Sequence, residues 1–109
     1  MAISVGNVHL QEDAGKGLDE SRIAAIQAVT DVPLVIHGGS GVPVDQRIKL
    51  ARNTNICKYN VGTELRMAFG AALRDAVSRD ADRFDRVAVL RDTHDPVVEA
   101  TRAVLRSMR

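Results

Sequence analysis

Residues 34–41 read LVIHGGSG, and this stretch decides how the rest of the chain is understood. Leu34, Val35 and Ile36 run into His37, and Gly38, Gly39 and Gly41 then surround Ser40. A run of this kind predicts a strand that ends on a titratable ring, followed by a turn with almost no side chains. That is the form of a strand delivering a ligand to a site. It is also the form of a histidine hydrogen-bonded to backbone beside a tight turn.

The same arrangement recurs on both sides. Ile3 to Val8 is a short apolar strand candidate that ends at His9, followed by the polar loop LQEDAGKG. Asp19 is placed to cap a helix carrying Ile23, Ile26 and Val29, with Ala25 and Ala28 beside them, and Asp31 closes it. The second strand covers 32–37. Pro43 suits the first turn of a helix whose apolar face is Val44, Ile48 and Ala51. The third strand is NICKYNVG, 55–62, in which parity sets Lys58 and Asn60 on the face opposite Cys57, Tyr59 and Val61.

The next helix has the strongest pattern. Thr63 is expected to cap it and Glu64 to complement its dipole, while Leu65, Ala68, Phe69, Ala72, Leu73, Ala76 and Val77 repeat with helical spacing. RDADRFDR, 79–86, reads as a charged connection. Asp95 and Pro96 open a last helix with Val97, Thr101, Val104, Leu105 and Met108 on its apolar side.

Strands alternating with helices define an α/β protein with a parallel sheet. Residues 1–109 read as a single domain of about three βα units and a terminal helix, a partial one if the units belong to a barrel. A (β/α)8 barrel typically needs ~250 residues, so if these are barrel units more than half of the barrel lies elsewhere. Polar or glycine-rich residues follow each strand, at the edge where α/β folds place their chemistry.

Composition narrows the function classes. The formal net charge of +1 and the scattered basic residues give no case for nucleic acid or an anionic membrane surface. Cys57 is the single cysteine, so no internal disulfide forms, and a reducing cytoplasm is the expected location. No apolar run approaches a membrane span, and MAISVGNVH lacks the basic and apolar regions of a signal peptide. Cys57 itself is expected in the core as a small apolar residue.

His9 and His37, at neighbouring strand ends ~4.8 Å apart, are candidates to share a metal with Zn–N bonds near ~2.0 Å. Two ligands are fewer than the three a catalytic zinc normally takes, and His94 has no strand to place it. Gly38, Gly39 and Ser40 leave backbone N–H groups available to an anion at a helix start, and Asn60, Val61, Gly62 and Thr63 repeat the device. Glycine is equally the default wherever a backbone bends. Spacing alone leaves both pairs of readings open.

ISVGNVH, VPLVIHGGSGVP and CKYNVGTELRMAFGAALRDA, in this order and spacing, resemble the C-terminal part of the class II, zinc-dependent ketose-bisphosphate aldolases, which include fructose- and tagatose-bisphosphate aldolases. The resemblance spans essentially the whole chain and is strongest from Ile3 to Ala76. It implies the last three units of a TIM (β/α)8 barrel with its closing helix. It makes His9 and His37 two of three zinc ligands, with the third histidine outside the chain, and leaves room for a monovalent cation. Gly38, Gly39, Ser40, Asn60, Val61, Gly62 and Thr63 then bind the phosphates of a sugar phosphate, with Asn60 also placed to touch the ketose.

In such enzymes zinc polarises the C2 carbonyl and stabilises the enediolate left when the C3–C4 bond breaks, giving dihydroxyacetone phosphate and an aldehyde. The acid/base aspartate lies in an N-terminal segment that this chain lacks. No catalytic residue is therefore assigned here, and the isolated chain is expected to be inactive. A glycolytic, cytoplasmic lyase that is a homo-oligomer when complete follows from the same resemblance.

Leu10 and Asp13 depart from the family, which commonly has glycine and lysine there. They point toward a different ketose phosphate. Two other readings remain at this stage. One is a metal-free phosphate-binding part of another barrel enzyme. The other is a non-catalytic truncated or split product that pairs with a complementary barrel half.

Overall fold

The structure is a computed structural model, and it describes residues 1–7, 15 and 17–108. Three strands, β1 (Ala2–Ile3), β2 (Leu34–His37) and β3 (Ile56–Asn60), form a parallel sheet in the order β1-β2-β3. Helix α1 (Glu20–Gln27) joins the first pair and α2 (Val44–Asn53) the second. Three further helices follow: α3 (Thr63–Arg79), α4 (Arg86–Arg91) and α5 (His94–Arg106). The result is mixed α/β with a small parallel sheet, as the alternating pattern predicts.

The first strand is shorter than its apolar run. Val5 is fully buried, but its backbone leaves the ladder: its N–H donates to Asn7 Oδ1 at 2.7 Å, and its carbonyl accepts from Asp19 N at 2.8 Å. Gly6, at φ +96°, makes the turn that permits this. Both of Val5's ladder groups are therefore spent on the loop. Val8, the expected strand end, lies outside the described residues.

Along β2, Leu34 and Ile36 are buried, Val35 half-buried and His37 exposed, the alternation of a strand with one covered face. The core gathers Ile3, Val5, Leu34, Ile36 and Ile56 from the sheet with Leu18, Ile23, Val42 and Leu50, and Ile26 and Tyr59 pack against it. Because α1 and α2 supply Ile23 and Leu50 to one cluster, both helices cover the same side of the sheet. The register pairs Val35 with Lys58 and His37 with Asn60, so these four share the opposite, uncovered side.

The β3 parity expected from sequence holds for Lys58, Tyr59 and Asn60 but fails at Cys57. A register shift between Leu34 and Val35 leaves Ile56 opposite Leu34 and Lys58 opposite Val35, with Cys57 between. Cys57 is exposed, not a core residue, and its thiol reaches Leu34 O at 3.4 Å. The extra residue absorbs one step of the alternation and turns this side chain out of the core.

Asp19 caps α1 as expected, accepting from Arg22 N at 2.9 Å. Ile23 is buried, but Val29 lies beyond the helix end and is 84% exposed. The face expected for α2 is corrected: Val44 is exposed, and the helix buries Arg47 and Leu50.

Helix α3 packs on α5 and α4. Of its apolar stripe only Ala76 is buried, while Phe69 and Val77 are exposed. Helix α4 follows directly on the charged connection, in a stretch to which the sequence pattern assigns no element. Asp85 caps it by accepting from Val87 N and Ala88 N. Asp92 then accepts from Arg83 Nη1 at 2.8 Å and Arg79 Nη2 at 3.3 Å, tying the α4–α5 turn to the end of α3. Helix α5 begins at His94, slightly ahead of the expected Asp95–Pro96 start. The helical half extends the molecule to 59 × 21 × 21 Å, with a radius of gyration of 17.1 Å. A closed globule of this length would have roughly 13 Å.

Candidate functional site

The carboxyl ends of β2 and β3 bring two sequence-predicted segments together. His37 and Asn60 are register partners, and Gly39 N donates to Asn60 O at 2.9 Å, carrying the pairing two residues past the end of β2. Gly38 (φ +84°) and Gly41 (φ +79°) then bend the chain in conformations that side chains disfavour, and they set Ser40 between them.

Ser40 is 3% exposed, and its Oγ accepts from Gly62 N at 3.2 Å, Thr63 N at 3.0 Å and Glu64 N at 3.4 Å. These are the amides at the start of α3, which have no partner within the helix. The sequence pattern makes Thr63 the cap of α3. Gly62 instead occupies the cap position with no side-chain bond of its own, and the capping oxygen comes from the other loop. The two glycine loops thus meet at one hydroxyl. A Cβ added at Gly62 would meet no heavy atom within 4 Å, so the space beside these amides is open. Asn60 and Val61 are half-buried beside them.

The loop is held from behind by an ion pair between residues far apart in sequence. Arg47 is 2% exposed and pairs with Glu64, Nη2 to Oε1, at 2.7 Å. Glu64 Oε1 also accepts from Gly41 N at 3.0 Å. Only the arginine's position on an otherwise polar helix stretch was visible in sequence. Its partners lie on distant elements. Tyr59 packs beside it, and burial pushes the phenol up to about 12, with the Arg47 guanidinium partly opposing the rise.

On the β1 side, Asn7 donates through Nδ2 to His37 O and to Ile3 O, so it ties the end of β1 to the end of β2. His37 stands exposed on the uncovered side of the sheet with its backbone fixed in this way. An imidazole at a strand end is a suitable zinc donor. Among the described residues no group of three His, Cys, Asp or Glu side chains is placed to hold a metal. His9, the other predicted ligand, lies outside the described residues, as do Leu10 and Asp13. His94 is exposed at the start of α5 beside Asp95, with 2.8 Å between Nδ1 and Oδ1.

Parallel strands joined by helices, with glycine turns and a histidine gathered at their carboxyl edge, define an α/β protein of the kind that binds ligands at that edge. The family model for class II fructose-bisphosphate aldolase matches residues 1–109, and the chain belongs to that family. A Mycoplasma pneumoniae protein named fructose-bisphosphate aldolase is 42% identical over 83 residues, which cover 75% of this chain and 28% of that relative. The chain thus spans little more than a quarter of the length of the curated relative it matches. Among the described residues no helix is long and apolar enough to cross a membrane.

Proposed function

We propose that this chain is the C-terminal part of a zinc-dependent aldolase that cleaves and forms a ketose phosphate or bisphosphate. The observation that carries the reading is the convergence of the two glycine loops on Ser40, at the same sheet edge as His37. Backbone amides around a buried hydroxyl at a helix start, with open space at Gly62, suit the oxygens of a phosphate. Gly38, Gly39 and Ser40 supply one wall and Asn60, Val61, Gly62 and Thr63 the other. Asn60 shares the sheet face of His37, which supports a role for its amide in orienting a ketose between phosphate and metal.

The sheet supports a barrel. Parallel sheets are covered on both faces, yet α1 and α2 cover only one here. The uncovered side carries Val35, His37, Lys58 and Asn60, as the lumen side of three consecutive barrel strands would. The remaining strands of a (β/α)8 barrel would complete it.

His9 and His37 would hold Zn2+ with a further histidine outside the chain, and the family resemblance would add a monovalent cation. The metal would supply electrophilic polarisation of the substrate carbonyl. This chain's own residues bind and orient: the loops fix the phosphate, Asn60 fixes the sugar, and Asn7 fixes the backbone of His37. The acid/base group comes from elsewhere in the barrel, so the chain alone is inactive. A cytoplasmic homo-oligomer fits this reading.

The test is aldol cleavage of fructose bisphosphate and tagatose bisphosphate by the complete protein, before and after chelation and with zinc restored. Zinc-dependent cleavage of either supports the proposal. A metal-indifferent enzyme, or a phosphate-binding protein with no cleavage, overturns it.

A further inference from the structure

We infer that Arg47, through Glu64, is a positioning residue that sets the shape and charge of the phosphate loop. This rests on the phosphate reading above but adds residues outside the two glycine segments.

The guanidinium is almost fully buried and reaches three separate parts of the chain. Nη1 donates to Ser107 Oγ at 2.9 Å, at the end of α5. Nη2 donates to Glu64 Oε1 at 2.7 Å, to Val42 O at 3.1 Å and to Gly39 O at 3.3 Å. Glu64 Oε1 in turn accepts from Gly41 N. The backbone is therefore pinned at residues 39, 41 and 42, on both sides of Ser40, by one ion pair. Ser40 then holds the amides of 62–64. Few other groups fix this loop, because Gly38 and Gly41 contribute no side chains.

The pair also sets the local charge. Glu64 sits in the first turn of α3, beside the amides proposed to meet a phosphate, and its carboxylate would repel one. Arg47 neutralises it from the buried side, while the space beside Gly62 stays open. Only a planar fork of donors spans Ser107, Glu64 and two carbonyls at once; a lysine ammonium is a single point charge and cannot reach all of them. Arg47 Nε is buried without a hydrogen-bond partner among the described residues. Its unmade bond is a cost the fold accepts to keep the fork in place.

Truncating Arg47 has two separable consequences: the loop loses its anchor, and Glu64 is left as an uncompensated negative charge. Restoring neutrality at Glu64 should repair the second and not the first.

The experiment uses the complete protein with zinc and measures binding of dihydroxyacetone phosphate and of inorganic phosphate for wild type, R47K, R47M, E64Q and R47M/E64Q. Amide exchange at 39–42 and 62–64 and thermal unfolding are measured alongside. The expected result is a loss of phosphate affinity of roughly tenfold or more in R47M, an intermediate loss in R47K, and partial recovery in R47M/E64Q relative to R47M. KM should rise more than kcat falls, with faster exchange confined to the loop and the start of α3.

A purely structural role predicts lower thermal stability with unchanged affinity in the folded fraction. That result overturns the inference, as does R47M/E64Q binding no better than R47M. If R47M does not fold, R47K and E64Q decide it, since both keep hydrogen-bonding groups in place. Wild-type protein that binds neither probe overturns the phosphate reading itself. Wild-type binding with indifferent variants overturns only the role of Arg47.

Discussion

Ser40 Oγ stands 3.0 Å from the backbone nitrogen of Thr63, and through this contact one strand-end loop caps the helix that follows the next strand. Capping across two βα units fixes the distance between the loops. A ligand that bridges them then meets a site already assembled.

Removing that oxygen has a direct consequence. S40A leaves three helix-start amides without their acceptor and should destabilise the protein by about 1–2 kcal/mol. Saturating inorganic phosphate should recover part of the loss, because its oxygens can accept from the same amides. Denaturant titration with and without phosphate checks both halves. An S40A protein as stable as wild type contradicts the capping role. A loss that phosphate does not touch contradicts the proposed ligand.

Two glycines in the site should respond in opposite ways. Gly38 is at φ +84°, so G38A is strained by roughly 1–2 kcal/mol whatever space surrounds it. Gly62 lies at φ −138° with nothing within 4 Å of an added Cβ, so G62A should change stability by less than about 1 kcal/mol. The new methyl would stand where the phosphate is proposed to bind, and it should raise the phosphate Kd severalfold. G62A with unaltered stability and unaltered affinity would place the ligand elsewhere.

Acid sensitivity should appear away from the site. Hydrogen bonds from Lys49 and Gln46 hold the Glu20 carboxyl below its ordinary value of 4.5, and those from Ser21 and the Arg22 backbone lower Asp19 below 3.8. A carboxylate depressed in the folded state adds stability that is complete above its unfolded value and disappears as pH falls through the folded one. E20Q should therefore flatten the stability profile below about pH 4.5 and leave its slope near neutrality alone. Unfolding midpoints across that range check it. An E20Q profile that falls as steeply as wild type would assign the effect to other groups.

Much of this architecture is legible in the sequence because local signals and packing agree. Asp19 followed by Ile23 and Ile26 gives α1 its cap and its buried stripe. Leu34 and Ile36 give β2 its alternation. His37 and Asn60 fall at strand ends because glycine-rich turns follow them closely.

The failures have physical causes of a different kind. Arg47 has no local signal in the sequence, since its partners Glu64 and Ser107 are 17 and 60 residues away. Cys57 reads as core until the register shift beside Leu34 moves it out of the alternation. The first strand ends early because Asn7 and Asp19 take the backbone groups of Val5, a competition that apolar periodicity does not record. The short helix α4 had a visible signal, Asp85 ahead of Val87, Val89 and Leu90, masked by the charges around it.

The central claim is that His37 is a zinc ligand at the carboxyl edge of this sheet, beside a phosphate site. Zinc titration of the complete protein against its H37A variant tests it most directly, with metal content measured after dialysis. The expected result is about one tightly held zinc per wild-type subunit and a loss of affinity of at least roughly a hundredfold in H37A, with the fold retained. Zinc bound equally well by H37A, or no zinc bound by the wild-type protein, would contradict it.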